Sequence, residues 1–433
     1  MSAIQRIGAL AVAVLVVIGT AVVAVNLVGP SSGANDEPTA TAEPTATSQP
    51  SDVAEPSASA QSEDELLAEL REIEQQVLAI RGLPAADIGP PDLITRAELA
   101  GELQRLFDEE YPPEERERDE IALRALGLLT EEQDYAALQL QLLGDQVLGF
   151  YDDVERRMVI VTDAGLDPEA RMTYAHEYTH ALQDAAFGLD SLETDAEGED
   201  DRGLARTALI EGDASVAMLA WAFANLSPEE ILEISTGAQL PDMTGIPSWM
   251  AAQLEFPYVE GLTWTSALVG NPLSPDFTAI DAAFEDPPDS TEQILEPDAW
   301  ETREAPVEVP QIDLAAALGE GWSEVEATTL GQAMIAIMLE FHGVQRETAV
   351  EAARGWGGDR TVVASGPDGA FAVAWRFAWD EPAESSEFGD AYRGIAGSLG
   401  FPAAVVDLPD GETLVVHAST DDILRRAQDA ADD

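Results

Sequence analysis

The segment His176-Glu177-Tyr178-Thr179-His180 sets two imidazoles four residues apart with a carboxylate between them. That spacing constrains the backbone. A helix stacks positions i and i+4 one above the other on the same face, close enough to reach one ion. The flanks agree. Asp167 suits the N-cap, Pro168 the first helical position and Gly188 the C-cap. Met172, Ala175, Thr179, Leu182 and Ala186 recur at steps of three and four, which predicts one buried stripe. On such a helix His176 and His180 can hold one metal ion, with Glu177 beside it. Neutral imidazoles bind zinc in this way, and the neighbouring Glu serves as general base toward water. The chain has only four His, and two fall in this turn. The competing reading is a helix that carries two histidines by accident.

Two histidines do not complete a catalytic zinc site. A third protein ligand is needed, with one position left open. Gly203 to Leu226 reads as the next helix, and it carries Leu209-Ile210-Glu211-Gly212-Asp213-Ala214-Ser215. A carboxylate among apolar neighbours is costly unless it is paired or bound to a metal. Glu211 is therefore the candidate third ligand, and Gly212 would let another backbone approach closely. Two alternatives stand beside this reading. Glu211 could pair with Arg206, and Asp213 could be the ligand or an acceptor for a His N–H.

H-E-Y-T-H followed by I-E-G-D-A resembles the gluzincin class of zinc metallopeptidases. Thermolysin-like enzymes carry H-E-L-T-H with a later Glu, and aminopeptidases of the class carry H-E-x-x-H with a later N-E-G-x-A. The resemblance implies a zincin-like core, with His176, His180 and Glu211 as zinc ligands and Glu177 as base. Gluzincins commonly stabilise the oxyanion with a Tyr or His. Only His342 and His417 remain here, so Tyr258 is the candidate, with Tyr174 and Tyr178 as others. A wider pattern, from G-F-Y-D through H-A-L-Q-D, E-G-D-A and F-P-Y-x-x-G to P-P-D-S-T-E-Q-I-L, is similar to a group of uncharacterised bacterial membrane-anchored proteins over residues 146–300. The chain departs from these patterns in two places. Ser215 stands where the thermolysin pattern has Asp, and Glu296 where the group often has His.

Composition bounds the rest. The 433 residues are 45% hydrophobic, ample for one large core or two smaller ones. There is no Cys, hence no disulfide framework, thiol nucleophile or Cys-based zinc site. The net charge of -62 argues against nucleic-acid binding and suits a protein working in high salt. Residues 1–6 carry one Arg and read as cytoplasmic. Ile7 to Val28 is an uncharged, mostly apolar run, long enough to span a bilayer and long for a signal-peptide core. It reads as a single-pass signal anchor, with cleavage as the alternative and the acidic remainder exported. Residues 29–62 form a Pro-, Ser-, Thr- and Glu-rich stalk.

The folded part reads as α+β and predominantly helical, with a metallopeptidase core at 63–345 and a small α/β lobe at 346–433. Helices are expected at Glu63 to Ile80, Ile94 to Phe107, Asp119 to Leu129 and Ala136 to Leu143. Gln146 to Tyr151 and Met158 to Thr162 read as a hairpin just before the histidine helix, turning at Asp152-Asp153. Its edge strand could bind a peptide backbone by strand addition, or be purely structural. The acidic stretch Asp190 to Asp201 could hold calcium or form a solvated loop. Ser290 and Gln293 read as a capping box. Further on, helices are expected at Ala327 to His342, Ser386 to Leu399 and Asp421 to Ala431. Trp356 to Arg360 reads as a turn into a hairpin of Thr361 to Ser365 and Phe371 to Ala378, and Thr413 to His417 as a strand.

Together these readings describe a membrane-anchored, extracytoplasmic zinc metallopeptidase acting on a peptide or protein. Two rivals stand against it: a cell-surface binding or scaffold protein with a structural or inactive zinc site, and a metal-dependent hydrolase of another substrate. The topology is testable at once. Protease added to intact spheroplasts should remove the acidic domain, whereas full protection would exclude the anchor.

Overall fold

The computed structural model describes residues 62–432 apart from 145–146, 164 and 238–242. The expected anchor at 7–28 and the stalk, except Ser62, lie outside these residues. What is described is α+β and predominantly helical.

Helix α1 (Glu63–Arg81) starts at a capping box, with Ser62 and Glu65 each satisfying the other's backbone N–H. Its stripe of Leu66, Leu70, Ile73 and Val77 is buried, as the spacing predicts. Strand β1 (Asp92–Ile94) and helix α2 (Arg96–Glu110) replace the single helix expected from Ile94. The break comes at Thr95, which caps α2 through Glu98 and frees the preceding residues to pair as a strand. Helix α3 (Pro113–Ala125) begins earlier than expected, because Pro113 occupies the first helical position. Helix α4 (Tyr135–Gly144) leads into the hairpin of β2 (Gly149–Asp152) and β3 (Arg157–Val161). The hairpin pairs antiparallel with Tyr151 opposite Met158, while β1 adds in parallel on the far side of β3. The order β1-β3-β2 leaves β2 at an edge.

Helix α5 (Pro168–Phe187) carries the histidine motif. Its ends are those read from sequence: Asp167 accepts from the Ala170 amide, Pro168 leads, and Gly188 closes the helix at φ 70°. The buried surface is wider than the predicted stripe. Every residue from Met172 to Gln183 is buried. Helix α6 (Asp200–Asn225) explains this, because it lies along α5 and is itself the core helix of the molecule. By length and composition it could cross a membrane, the one such helix among the described residues. However, 83% of its apolar window is covered by protein. A helix apolar all round and clad in other helices is what a large core requires.

After α7 (Pro228–Gly237), helix α8 (Ser248–Val269) crosses α6 at two glycines. A Cβ on Gly212 would collide with the Gly261 carbonyl, and one on Gly261 with the Ala208 carbonyl. The close approach expected at Gly212 is therefore made by α8. It brings Tyr258, one turn before Gly261, beside Glu211.

Short helices α9 (Thr278–Glu285), α10 (Thr291–Leu295), α11 (Pro297–Thr302) and α12 (Leu314–Leu318) follow. Ser290 caps α10 by accepting from Gln293, but the Gln293 side chain returns to the Asp289 amide and not to Ser290. The acidic stretch before α6 is also not wholly solvated. Asp200 and Asp201 are buried, and Asp201 accepts from both the amide and the hydroxyl of Thr291. Among the described residues, no group able to hold a metal lies in that stretch.

The C-terminal part is a five-stranded antiparallel sheet in the order β4-β5-β6-β8-β7. Its strands are β4 (Ser323–Thr328), β5 (Trp356–Ser365), β6 (Phe371–Trp379), β7 (Ala403–Asp407) and β8 (Thr413–Ala418). Helices α13 (Gly331–Phe341), α14 (Arg346–Ala353), α15 (Pro382–Ala396) and α16 (Asp421–Asp432) are interleaved. Strand β4 precedes residue 346, so the sheet draws on chain from both sides of that position. Trp356 to Arg360 is the start of β5 and not a turn. Buried Asp359 accepts from the Leu330 and Gly331 amides and from the indoles of Trp356 and Trp375, which holds the Gly-Gly-Asp segment extended. His417 on β8 bridges to α3, bonding the Ala125 carbonyl through Nδ1 and the Tyr392 hydroxyl through Nε2. Burial pushes this imidazole down to about 4, so it is neutral.

The glycine crossing makes a direct prediction. Gly261→Ala should force α8 away from α6 and destabilise the chain by about 1–3 kcal/mol or more, as overpacking does. Gly101→Ala, in open space on α2, should be neutral or stabilising by up to about 1 kcal/mol. Denaturant melts of the two variants check both. Equal effects would remove the crossing from its structural role.

Candidate metal centre

Helices α5 and α6 run side by side, and their facing turns carry the chemistry. His176 and His180 project from α5 one turn apart, with ring centroids 4.7 Å apart and planes at 79°. Glu211 meets them from α6. Its Oε2 lies 3.0 Å from His176 Nε2 and 3.4 Å from His180 Nε2. All three side chains are buried, and they form the one His/Cys/Asp/Glu group among the described residues that could hold a metal ion.

The two separations, 3.0 and 3.4 Å, lie close to those between ligands of a tetrahedral ion. Zinc bonds of about 2.0–2.2 Å set ligand atoms roughly 3.3–3.5 Å apart. The unmet bonding capacity fits as well. His180 Nε2, Glu177 Oε1 and the Tyr258 hydroxyl are all buried without a hydrogen-bond partner. Three orphaned polar atoms around one cluster would be costly in a filled core. A divalent cation and its water would satisfy them together.

Without metal, the cluster balances its charge by proton placement. Burial pushes Glu211 upward, but the facing imidazoles outweigh it and hold the carboxyl at about 2. Burial lowers both imidazoles. At His176 it prevails. At His180 the nearby Glu211 carboxylate, with Glu177 and Gln183, reverses the sign and raises the ring to about 9. Glu177 is different. Burial raises it to about 8, against the His180 charge and a hydrogen bond from the Tyr151 amide. That amide belongs to edge strand β2 and donates to Glu177 Oε2 at 2.8 Å.

The structure also separates the tyrosines. Tyr258 packs its ring 6.3 Å from that of His176. Burial, and then the charges of Glu211 and Glu177, raise its hydroxyl well above the usual range. Tyr174 instead donates to Glu74 at 2.6 Å, and Tyr178 stacks on Tyr174. Neither is part of the centre.

The structure shows what Arg206 and Asp213 contact instead. Arg206 bonds the Leu192 and Pro288 carbonyls and pairs with Asp289 and Glu193, not with Glu211. Asp213 is not among the three residues that could hold a metal ion. It pairs with Arg81 at 2.8 Å and accepts from Gln183 at 2.8 Å. It reaches the centre only through Gln183, whose Oε1 lies 2.8 Å from His180 Nδ1. Glu296 pairs with Arg354 at 3.1 Å and takes no part.

Three contributors escaped the sequence reading. Gln183 had a visible signal, since it lies three residues after His180 on the same helical face. Arg81 had none, being 132 positions from Asp213. The Tyr151 amide is backbone and carries no residue-type signal.

A family model described as a domain of unknown function (DUF8575) matches residues 318–431. That span takes in the five-stranded sheet and none of the cluster residues. No curated protein and no solved structure matches the chain.

The centre predicts its own loading. Equilibrium dialysis should find close to one zinc per chain. His176→Ala, His180→Ala and Glu211→Ala should each weaken binding by more than about 100-fold, beyond what loss of an outer hydrogen bond costs. A variant of Glu211 that keeps full affinity would exclude it as a ligand.

Proposed function

We propose that this protein is a membrane-anchored, extracytoplasmic zinc metallopeptidase of gluzincin type that hydrolyses peptide bonds. The observation that carries this reading is the convergence of His176, His180 and Glu211 with a fourth group, Glu177, whose free carboxylate oxygen has no protein partner. Zinc held by the three residues would supply Lewis-acid polarisation of a scissile carbonyl and would acidify water at the site.

The protein's own residues supply the rest. Glu177 takes the proton as water attacks the carbonyl and later gives it to the leaving amine. Its Oε2 is fixed by the Tyr151 amide, so Oε1 is the oxygen left for the proton. Tyr258 donates its hydroxyl proton in a hydrogen bond to the developing oxyanion. Edge strand β2 lies against Glu177 and offers backbone groups to an extended peptide. No covalent intermediate is needed, in keeping with a chain that has no Cys.

A second reading has one observation in its favour. His176, Glu177 and Glu211 are each at most 3% exposed, and such burial suits a structural or inactive zinc site in a cell-surface binding or scaffold protein. The engagement of Asp213 with Arg81 and Gln183 works against it, because that carboxylate is not free to close a fourth ligand position.

One substitution separates the two. Glu177→Gln should keep zinc stoichiometry and melting temperature while peptidase turnover on a mixed peptide library falls by roughly 10²–10⁴-fold or more. A structural zinc protein would show no turnover to lose. Loss of zinc in Glu177→Gln, or full activity, would refute the assigned role.

A further inference from the structure

His180 can bind a metal through Nε2 only if that nitrogen carries its lone pair. The neutral ring must then hold its proton on Nδ1. The ring by itself does not impose this. The structure contains a device that does.

Gln183 sits three residues on, with its amide oxygen 2.8 Å from His180 Nδ1. Its amide nitrogen faces two groups, the Ile210 carbonyl at 2.9 Å and Asp213 Oδ2 at 2.8 Å. A backbone carbonyl can only accept, and an ionised carboxylate also only accepts. The NH₂ end of Gln183 must therefore point at them, and the flipped amide would lose both bonds. The oxygen end is left toward His180, and an amide oxygen can only accept. The imidazole must donate from Nδ1. Its Nε2 is then the nitrogen directed at Glu211.

Asp213 is itself held. Arg81, fully buried at the end of α1, pairs with Asp213 at 2.8 Å and Asp281 at 2.6 Å. Its guanidinium also lies 4.5 Å above the Phe277 ring. This charge favours the ionised carboxylate of Asp213, against burial, which pushes the carboxyl up.

We propose that Gln183, oriented by Asp213 and the Ile210 carbonyl, is the positioning residue that fixes the tautomer and ring orientation of His180. The proposal rests on the zinc reading for its consequence, but the relay is a property of the protein alone. His176 has no counterpart, since its Nδ1 lacks a partner. The two histidines are thus unequal, and His180 is the preorganised one. Outer hydrogen bonds of this kind typically alter metal affinity by about 10–100-fold.

The test uses the full-length chain labelled with ¹⁵N-histidine, in which only four imidazoles contribute signals. The His180 signals are those absent from His180→Ala. In chelator-treated protein at alkaline pH, where the ring is neutral, the His180 proton should reside on Nδ1. In Gln183→Met, which keeps the length but not the acceptor, it should shift wholly or partly to Nε2. Zinc affinity, measured by competition with a chromophoric chelator, should fall by about 10–100-fold in that variant. The exchange pair Gln183→Glu with Asp213→Asn keeps an acceptor toward His180 and a donor–acceptor bond between positions 183 and 213. It should recover most of the lost affinity.

An Nε2 proton on His180 in the unsubstituted chain would overturn the proposal. So would Gln183→Met binding zinc at full strength, or an exchange pair that melts normally yet recovers nothing. Failure of the peptidase reading looks different. A chain that binds zinc with the relay intact but cleaves no peptide leaves this inference standing. A chain that binds no zinc is judged by the ring spectrum alone.

Discussion

A carboxylate on the most deeply buried helix of a protein must be partnered, and the architecture around α6 follows from how Glu211 meets that requirement. Its partners are the imidazoles of α5. Holding them within about 3 Å obliges α5 and α6 to lie in register along the facing turns. That packing buries the whole middle of α5, polar residues included. The cost of burying His176, Glu177 and His180 together is offset by their sharing one cluster, while Thr179 donates to the Ala175 carbonyl. Such a cluster is poorly satisfied by protein atoms alone. The same feature that makes the core fragile is what makes it suited to a cation.

The surrounding elements act to hold that cluster still. Glycines at 212 and 261 let α8 approach to backbone contact, which delivers Tyr258 to Glu211. Edge strand β2 reaches in with the Tyr151 amide and engages one oxygen of Glu177. Helix α1 closes the other side, with Glu74 on Tyr174, Gln76 on the Trp221 indole and Arg81 on Asp213. These contacts are directed hydrogen bonds, an ion pair and a close-packed crossing, and they come from three elements, α8, β2 and α1. Sites built this way on helices and strands hold geometry better than sites built on loops.

The C-terminal sheet follows a different logic. Its organising group is Asp359, a buried carboxylate with four donors and no free valence. Two indoles and the N-terminus of α13 converge there, which ties β5, β6 and α13 into one unit. A fully satisfied buried charge of this sort is structural. It differs from the His/Glu cluster in one respect: burial raises the carboxyl in both regions, but Asp359 has its donors while Glu177 keeps one oxygen without a partner.

Much of this protein was decided locally. The i, i+4 histidines, the Asp167-Pro168 start and the Gly188 stop specify α5 without reference to anything distant, since caps and helical periodicity act within a few residues. The apolar setting of Glu211 and the small side chain at Gly212 likewise marked the partner helix before its partner was known. The failures have one cause. Trp356 to Arg360 reads as a turn because Gly-Gly-Asp is a turn composition, and only the donors gathered from α13 and β6 make it a strand. Strands β1, β4 and β7 were missed because a short strand is stabilised by its neighbours and not by its own residues. That Tyr258, and neither Tyr174 nor Tyr178, stands beside the cluster follows from where α8 crosses α6. Arg81 entered the site from across the chain with no local trace. The sequence by itself determined which residues could bind a metal and that they lie on helices. The tertiary structure decided which carboxylate meets them, which tyrosine faces them and what holds the second histidine, because each of those depends on contacts between residues far apart along the chain.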